Sequence, residues 1–179
     1  MDDVVIDLKA GALNPSSKGF AEEFESFYAR ERRSVVGLAY VLSGSRAGAE
    51  DLAQEAFVAA FRRWKQVSGY DDPGAWVRRV VANRATSWLR RRAAEARALI
   101  RLGGQNYAIP PLDPEAELIW QEVRRLPLRQ AQTIALRYLD GQDVSDVALI
   151  LECSENTVHT HLRRGRESLS RRLADKEPL

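Results

Sequence analysis

Asn156, Thr160, Arg163 and Arg164 recur at i, i+4, i+7 and i+8, which places them on one side of a helix. An amide, a hydroxyl and two guanidinium groups in a row can meet base edges and clamp phosphates. On the other side of the same stretch lie Val158, Leu162, Gly165 and Leu169, the stripe that must pack. A shorter apolar stripe precedes it, Val144, Val147, Ala148 and Leu151. Between the two, Cys153 adds a small apolar residue to a turn, and Ser154 can cap the second helix. Residues 143–166 therefore read as a helix-turn-helix. Apolar stripes alone usually mean ordinary packing, so the nucleic-acid reading rests on the polar side.

Two earlier helices also carry faces with chemical potential. In a helix over about 49–65, Ala53, Phe57, Ala60, Phe61 and Trp64 form the stripe expected to be buried. Asp51, Gln54, Glu55, Val58 and Arg62 fall about 180° away. A solvated polar face is the plain reading of such a set. The next helix, about 73–92, buries Val77, Val81, Ala85, Trp88 and Leu89 and presents Trp76, Arg79, Val80, Asn83, Ser87 and Arg90. Aromatic and aliphatic groups among arginines suit stacking on unpaired bases beside phosphate contacts. The competing reading has Trp76 packed against a neighbouring helix.

Composition sets the frame for these faces. The chain has 179 residues, a net charge of +2 and one cysteine, so no internal disulfide forms and a reducing compartment is expected. The small net charge hides a strong asymmetry. Between Arg78 and Arg101 eight arginines stand against Glu95 alone, a net +7 over 24 residues, the local footprint of a polyanion partner. No apolar run approaches the roughly 18 residues that span a bilayer, so no membrane insertion is expected. The acidic head, MDDVVIDLKAG, lacks the basic-then-apolar order of a secretion signal.

Residues 1–18 read as a loosely ordered leader and 19–92 as a helical unit broken near 44–48 and 68–74. Residues 93–114 begin as a basic helical tail and end in a Gly- and Pro-containing linker, GGQNYAIPPLDP. Residues 115–175 are helical again. The expected fold is all-α: two small helical domains joined by a flexible linker, the second holding the helix-turn-helix.

Three segments then point to a family. DLAQEAFVAAFRRW at 51–64, DDPGAWVRRVVANRATSWLRRR at 71–92 and LPLRQAQTIALRYLDGQDVSDVALILECSENTVHTHLRRGRESL at 126–169 resemble bacterial sigma factors of the extracytoplasmic-function group. The likeness covers residues 20–173, with the motifs in the family's order and spacing. It implies two domains of the sigma-2 and sigma-4 types.

The resemblance assigns partners as follows. Asp51, Gln54 and Glu55 correspond to the face that docks on the clamp helices of the largest subunit of core RNA polymerase. The helix bearing Trp76, Arg79, Val80, Asn83, Ser87, Arg90 and Arg91 corresponds to the reader of the −10 promoter element, with Arg90, Arg91 and Arg92 on the backbone. The loop 66–72 resembles the segment that pockets an extruded base. Asn156, Thr157, His159, Thr160 and Arg163 correspond to −35 base contacts, with Arg164 and Arg166 on phosphates. The polymerase flap region, promoter DNA and, in many relatives, an anti-sigma factor are the implied partners, and the cytoplasm, at the nucleoid within holoenzyme, is the implied location. The acidic residues Asp113, Glu115 and Glu117 would mimic nucleic acid in the polymerase cleft.

Two departures from the family stand out. Glu152 occupies the turn position where glycine is usual, so a side chain must tolerate that geometry. His159 and His161 replace the more common lysine or arginine.

Enzymatic readings find little support. The two histidines lie about 200° apart on a helix and cannot share a metal from one face. Cys153 reads as a turn plug rather than a nucleophile, and neither a cofactor nor a catalytic set is expected. A stand-alone helix-turn-helix regulator is the rival reading, but it needs neither the Asp51 face nor the Trp76 face.

Overall fold

The structure, a computed structural model, describes residues 15–100 and 114–174. These fold into α1 (Pro15–Ser43), α2 (Arg46–Arg62), α3 (Trp64–Val67), α4 (Pro73–Ile100), α5 (Pro114–Arg124), α6 (Leu128–Ile134), α7 (Val144–Leu151) and α8 (Glu155–Ala174). A π-helical turn, Ala135–Leu139, extends α6. No strand occurs among the described residues.

In the first unit α1, α2 and α4 pack on each other. Val35, Leu38 and Leu42 of α1 meet Leu52, Ala56 and Ala60 of α2 and Val77, Val81 and Ala85 of α4, all buried. The alanines let the backbones approach closely. At the start of α2, Ser45 caps the helix by accepting from the Gly48 amide at 3.0 Å. Gly48 itself leaves no room for a Cβ, because the Trp88 indole lies directly over it. Helix α4 opens with Pro73, whose missing N–H costs nothing there, and Asp72 accepts from the Ala75 amide at 3.0 Å.

The expected break near 44–48 is shorter than the sequence suggested, only Gly44 and Ser45, and α2 runs from Arg46. The stripe also needs a correction. Ala53, Phe57, Ala60 and Trp64 are buried, but Phe61 is 47% exposed. It lies edge-on to Phe20 and Phe24 at the rim of an aromatic cluster that α1 contributes. Trp64 belongs to the separate short helix α3, where it packs between Phe24 and Phe27.

In the second unit Val123, Leu126, Ala131, Ile134, Leu136, Val147, Ile150, Leu151, Val158 and Leu162 form the core. Gly165 permits Ile134 to pack against the α8 backbone. Glu122, almost fully buried, is held by Arg125 at 2.5 Å and by Arg172 at 3.8 Å.

The two units are in contact. Arg78 of α4, only 8% exposed in its side chain, bonds Glu31 of α1 at 2.8 Å and Asp140 at 2.5 Å. Ser34 donates to the same Asp140 carboxylate. Burial works against charge on Glu31, but the bonds from Arg78 and Arg30 hold its carboxyl below the usual range. Asp140 follows the π turn, whose 3.2 Å bond from the Asp140 amide to the Ala135 carbonyl aims the residue at α4. Nearby, the buried Gln132 amide donates to the Ala82 carbonyl of α4 at 2.7 Å. Tyr40 donates to Glu117 at 2.9 Å.

Candidate nucleic-acid and partner interfaces

The helix-turn-helix forms as its stripes predict. Asp143 caps α7 in a reciprocal capping box with Asp146, its carboxylate accepting from the Asp146 amide at 2.8 Å. Glu152 ends the helix in the left-handed region, φ 54° and ψ 50°, where glycine would be unstrained. Ser154 then accepts from the Thr157 amide at 3.2 Å and starts α8. Cys153 is half-buried in the turn, and burial pushes its thiol pKa up, keeping it protonated.

With Val158, Leu162 and Gly165 buried, α8 turns Asn156, His159, Arg163, Arg164 and Arg166 outward, while Thr157 and Thr160 are half-exposed. Several of these groups have local partners. Thr160 donates to the Asn156 carbonyl at 2.9 Å, Arg163 pairs with Glu167 at 3.0 Å, and Arg166 donates to the Leu162 carbonyl at 3.3 Å. Thr157 lies within 2.9 Å of the capping Ser154 hydroxyl. His161 points inward instead. Burial, then Arg129 and Arg164, lower its pKa, and its buried Nδ1 has no hydrogen-bond partner.

On α2, Asp51, Gln54 and Glu55 are all exposed. Glu55 forms an ion pair with Arg84 of α4. Beside Gln54 runs a groove between α1 and α2 lined by Phe24, Tyr28, Phe57, Val58 and Phe61. The face is thus part apolar, a feature that periodicity missed by counting Phe61 as core. Tyr28, Val58 and Phe61 are all exposed hydrophobic residues.

The α4 face is less open than the sequence suggested. Asn83, Ser87 and Arg91 are exposed, but Trp76 and Val80 are half-buried against the core. Arg79 reaches α7 and the turn, donating to the Leu149 carbonyl at 2.7 Å and pairing with Glu152 at 3.0 Å. The side chains of Arg90 and Arg92 lie outside the described residues. The arginine-rich segment is therefore not wholly free for a polyanion: Arg78, Arg79 and Arg84 already have acidic partners. Of the expected loop 66–72, Gln66 and Val67 belong to α3, which Ser68 caps, so the connection is 68–72, and Tyr70 in it is exposed.

Of the acidic residues expected to mimic nucleic acid, Glu117 is buried, bonded to Tyr40 and Arg124. It is structural. Asp113 and the Glu115 side chain lie outside the described residues. No group of three or more metal-capable side chains occurs among the described residues.

Known proteins share this architecture. Residues 27–95 match Sigma-70 region 2, and residues 116–169 match Sigma-70, region 4. The chain belongs to the extracytoplasmic-function group of the sigma-70 family. It is 26% identical over 173 residues to the ECF RNA polymerase sigma-E factor of Escherichia coli K12, covering 87% of this chain and 89% of that protein. Against the ECF RNA polymerase sigma factor SigW of Bacillus subtilis the identity is 25%, covering 88% and 92%. The sigma factor RpoE of Bartonella quintana, solved with the anti-sigma factor NepR, shares the fold with a TM-score of 0.72 at 21% identity, covering 87% of this chain and 99% of that one. The sigma-70 matches fall on both helical units. No helix of the described residues is long and apolar enough to cross a membrane.

Proposed function

We propose that this sigma factor binds core RNA polymerase through the exposed α2 face and directs initiation at promoters read by α4 and α8. Asp51, Gln54 and Glu55 supply charge complementarity and register to a basic partner, while the groove beside Gln54 supplies apolar area. On α4, Trp76, Arg79, Val80, Asn83, Ser87, Arg90 and Arg91 engage the −10 element during strand opening. On α8, Asn156, Thr157, His159, Thr160 and Arg163 address −35 base edges, and Arg164 and Arg166 hold phosphates.

The single observation that carries this reading is α8. Its apolar side is buried in a capped helix-turn-helix, and its opposite side projects an amide, an imidazole and arginines into solvent. Such a surface offers the donors and acceptors that major-groove readout needs. We take 19–92 as the polymerase and −10 unit, 93–114 as the connection between the units and 115–175 as the −35 unit, which also meets the polymerase flap. An anti-sigma factor would act by covering these same faces.

Strand opening has its own test. Asn83 is exposed, so Asn83→Ala leaves packing intact, whereas Trp76→Ala also removes half-buried area. Stacking is worth roughly 1–3 kcal/mol per base, so losing the α4 face should slow opening about tenfold or more. Permanganate reactivity of −10 thymines in holoenzyme complexes reports this. Parental opening rates in both variants would remove α4 from the mechanism.

A further inference from the structure

We propose that Glu155 is a specificity residue of α8, selecting cytosine in the −35 element by accepting from the exocyclic N4 amine. The inference rests on the reading of α8 as the −35 helix and adds to it one residue and one base.

The observation is an unpaired acid among paired ones. Five acids lie between Asp143 and Glu167, both included. Asp143 and Asp146 form the reciprocal capping box of α7, Glu152 pairs with Arg79 at 3.0 Å, and Glu167 pairs with Arg163 at 3.0 Å. Glu155 is exposed and has no ion pair or side-chain hydrogen bond among the described residues. It does not close a capping box either. Ser154 is the cap, and the third helical position, which would answer it, holds Thr157.

Its place on the helix suits a reader. Glu155 opens α8, with Asn156 next to it and the exposed His159 one turn on at i+4. Each Cα–Cβ bond leans toward the helix N-terminus, so a side chain of the first turn reaches ahead of the helix. That end is the one a recognition helix brings to base edges. Arg163 lies eight residues further, about 12 Å along the axis at the helical rise, so the two address different base pairs.

The carboxylate sets which base can sit there. It only accepts, and phosphates and base acceptors repel it. In the major groove guanine offers N7 and O6, thymine O4, and adenine N7 beside its amine. Cytosine alone presents a donor with no acceptor on the same edge. Glu155 therefore rejects three bases as much as it binds the fourth. A purely local role for this acid is attraction to the positive end of the helix dipole. That role would affect stability and leave base choice untouched, so the two part in experiment.

The test is binding of holoenzyme to a promoter library randomised at the −35 element, with the parent, Glu155→Ala and Glu155→Gln. Glu167→Gln is the control, removing the same charge from the same helix. The parent should favour cytosine about tenfold at one position, the order of discrimination a good base contact gives. Glu155→Ala should lose that preference and bind the other three sequences more tightly than the parent does. Glu155→Gln should transfer it to adenine, whose N6 and N7 an amide bonds bidentately. The control should keep cytosine.

An unchanged profile in both Glu155 variants, an equal change in affinity for every sequence, or a parental preference for another base at the responding position overturns the proposal. So does loss of the cytosine preference in the control. Asn156→Ala and Arg163→Ala separate this failure from a broader one. If they shift preference while the Glu155 variants do not, α8 remains the reader and only the role of Glu155 falls. If no variant shifts any −35 position, the reading of α8 falls with it.

Discussion

Arg79 and Glu152, 73 positions apart, are joined by a 3.0 Å ion pair across the two helical units. The arginine belongs to α4, within the stretch that matches Sigma-70 region 2, and the glutamate ends the first helix of the helix-turn-helix. One contact thus links α4 to the helix-turn-helix, and it leaves the outer face of α8 uncovered.

Polymerase docking should depend on charge at the α2 face. Asp51→Arg combined with Glu55→Arg should abolish association with core polymerase on gel filtration while helicity by circular dichroism stays at the parental level. Both residues are exposed, and the Glu55–Arg84 pair is a surface pair worth at most about 1 kcal/mol, so the fold can spare them. Parental association of the double variant would move the docking face elsewhere.

Readout at the −35 element should divide along α8. Arg163→Ala should relax selectivity at one or two adjacent positions, since a good base contact discriminates by about 1–3 kcal/mol. Arg166→Ala should weaken binding evenly and reduce the salt dependence. Because Glu167 holds Arg163 at 3.0 Å, Glu167→Gln should strengthen holoenzyme binding without changing base preference. A promoter library randomised at the −35 element, bound at two salt concentrations, separates these outcomes. Loss of affinity with unaltered preference in Arg163→Ala would make it a phosphate contact.

Packing of the first unit should hinge on Gly48. A methyl group there collides with the Trp88 indole, so Gly48→Ala should destabilise by about 1–3 kcal/mol despite alanine's better helix propensity. Thermal melting followed at 222 nm checks the sign. A raised midpoint would mean that the indole moves aside freely.

Stability of the second unit should fall in mild acid. His161 has a folded pKa below its ordinary value of 6.5, so protons bind more readily to the unfolded chain. Its contribution is complete above about pH 6.5 and is lost as pH drops below that value. The Glu31 carboxylate, also lowered, adds a loss only further down, below its ordinary 4.5. Melting midpoints between pH 7.5 and 5 should therefore decline in the parent and flatten in His161→Gln. An equal decline in that variant would assign the effect to another group.

Much of the fold was legible because helices write their packing locally. The stripe Val144, Val147, Ala148 and Leu151 is buried or nearly so, and Ser154 caps α8 as its position suggested. Contacts between the units left no such record. Arg78 and Asp140 are 62 residues apart, and no period links a buried arginine to its distant acid. Counted by sequence, Arg78 joined the basic patch, whereas burial reassigns it to the interface. Glu152 was conspicuous where the family usually has glycine, yet its partner on α4 could not be read from the turn. Phe61 kept the helical period of a core residue, but its ring lies where α1 and α2 diverge and leave a groove.

Run-off transcription on a fragmented genomic library, with core polymerase and the chain supplied separately or together, tests the central claim most directly. Discrete transcripts should appear only when both are present, and Asp51→Arg with Glu55→Arg should remove them. Tight binding of the chain alone to duplex DNA, with no transcript added to core polymerase, would contradict the account and leave a stand-alone regulator in its place.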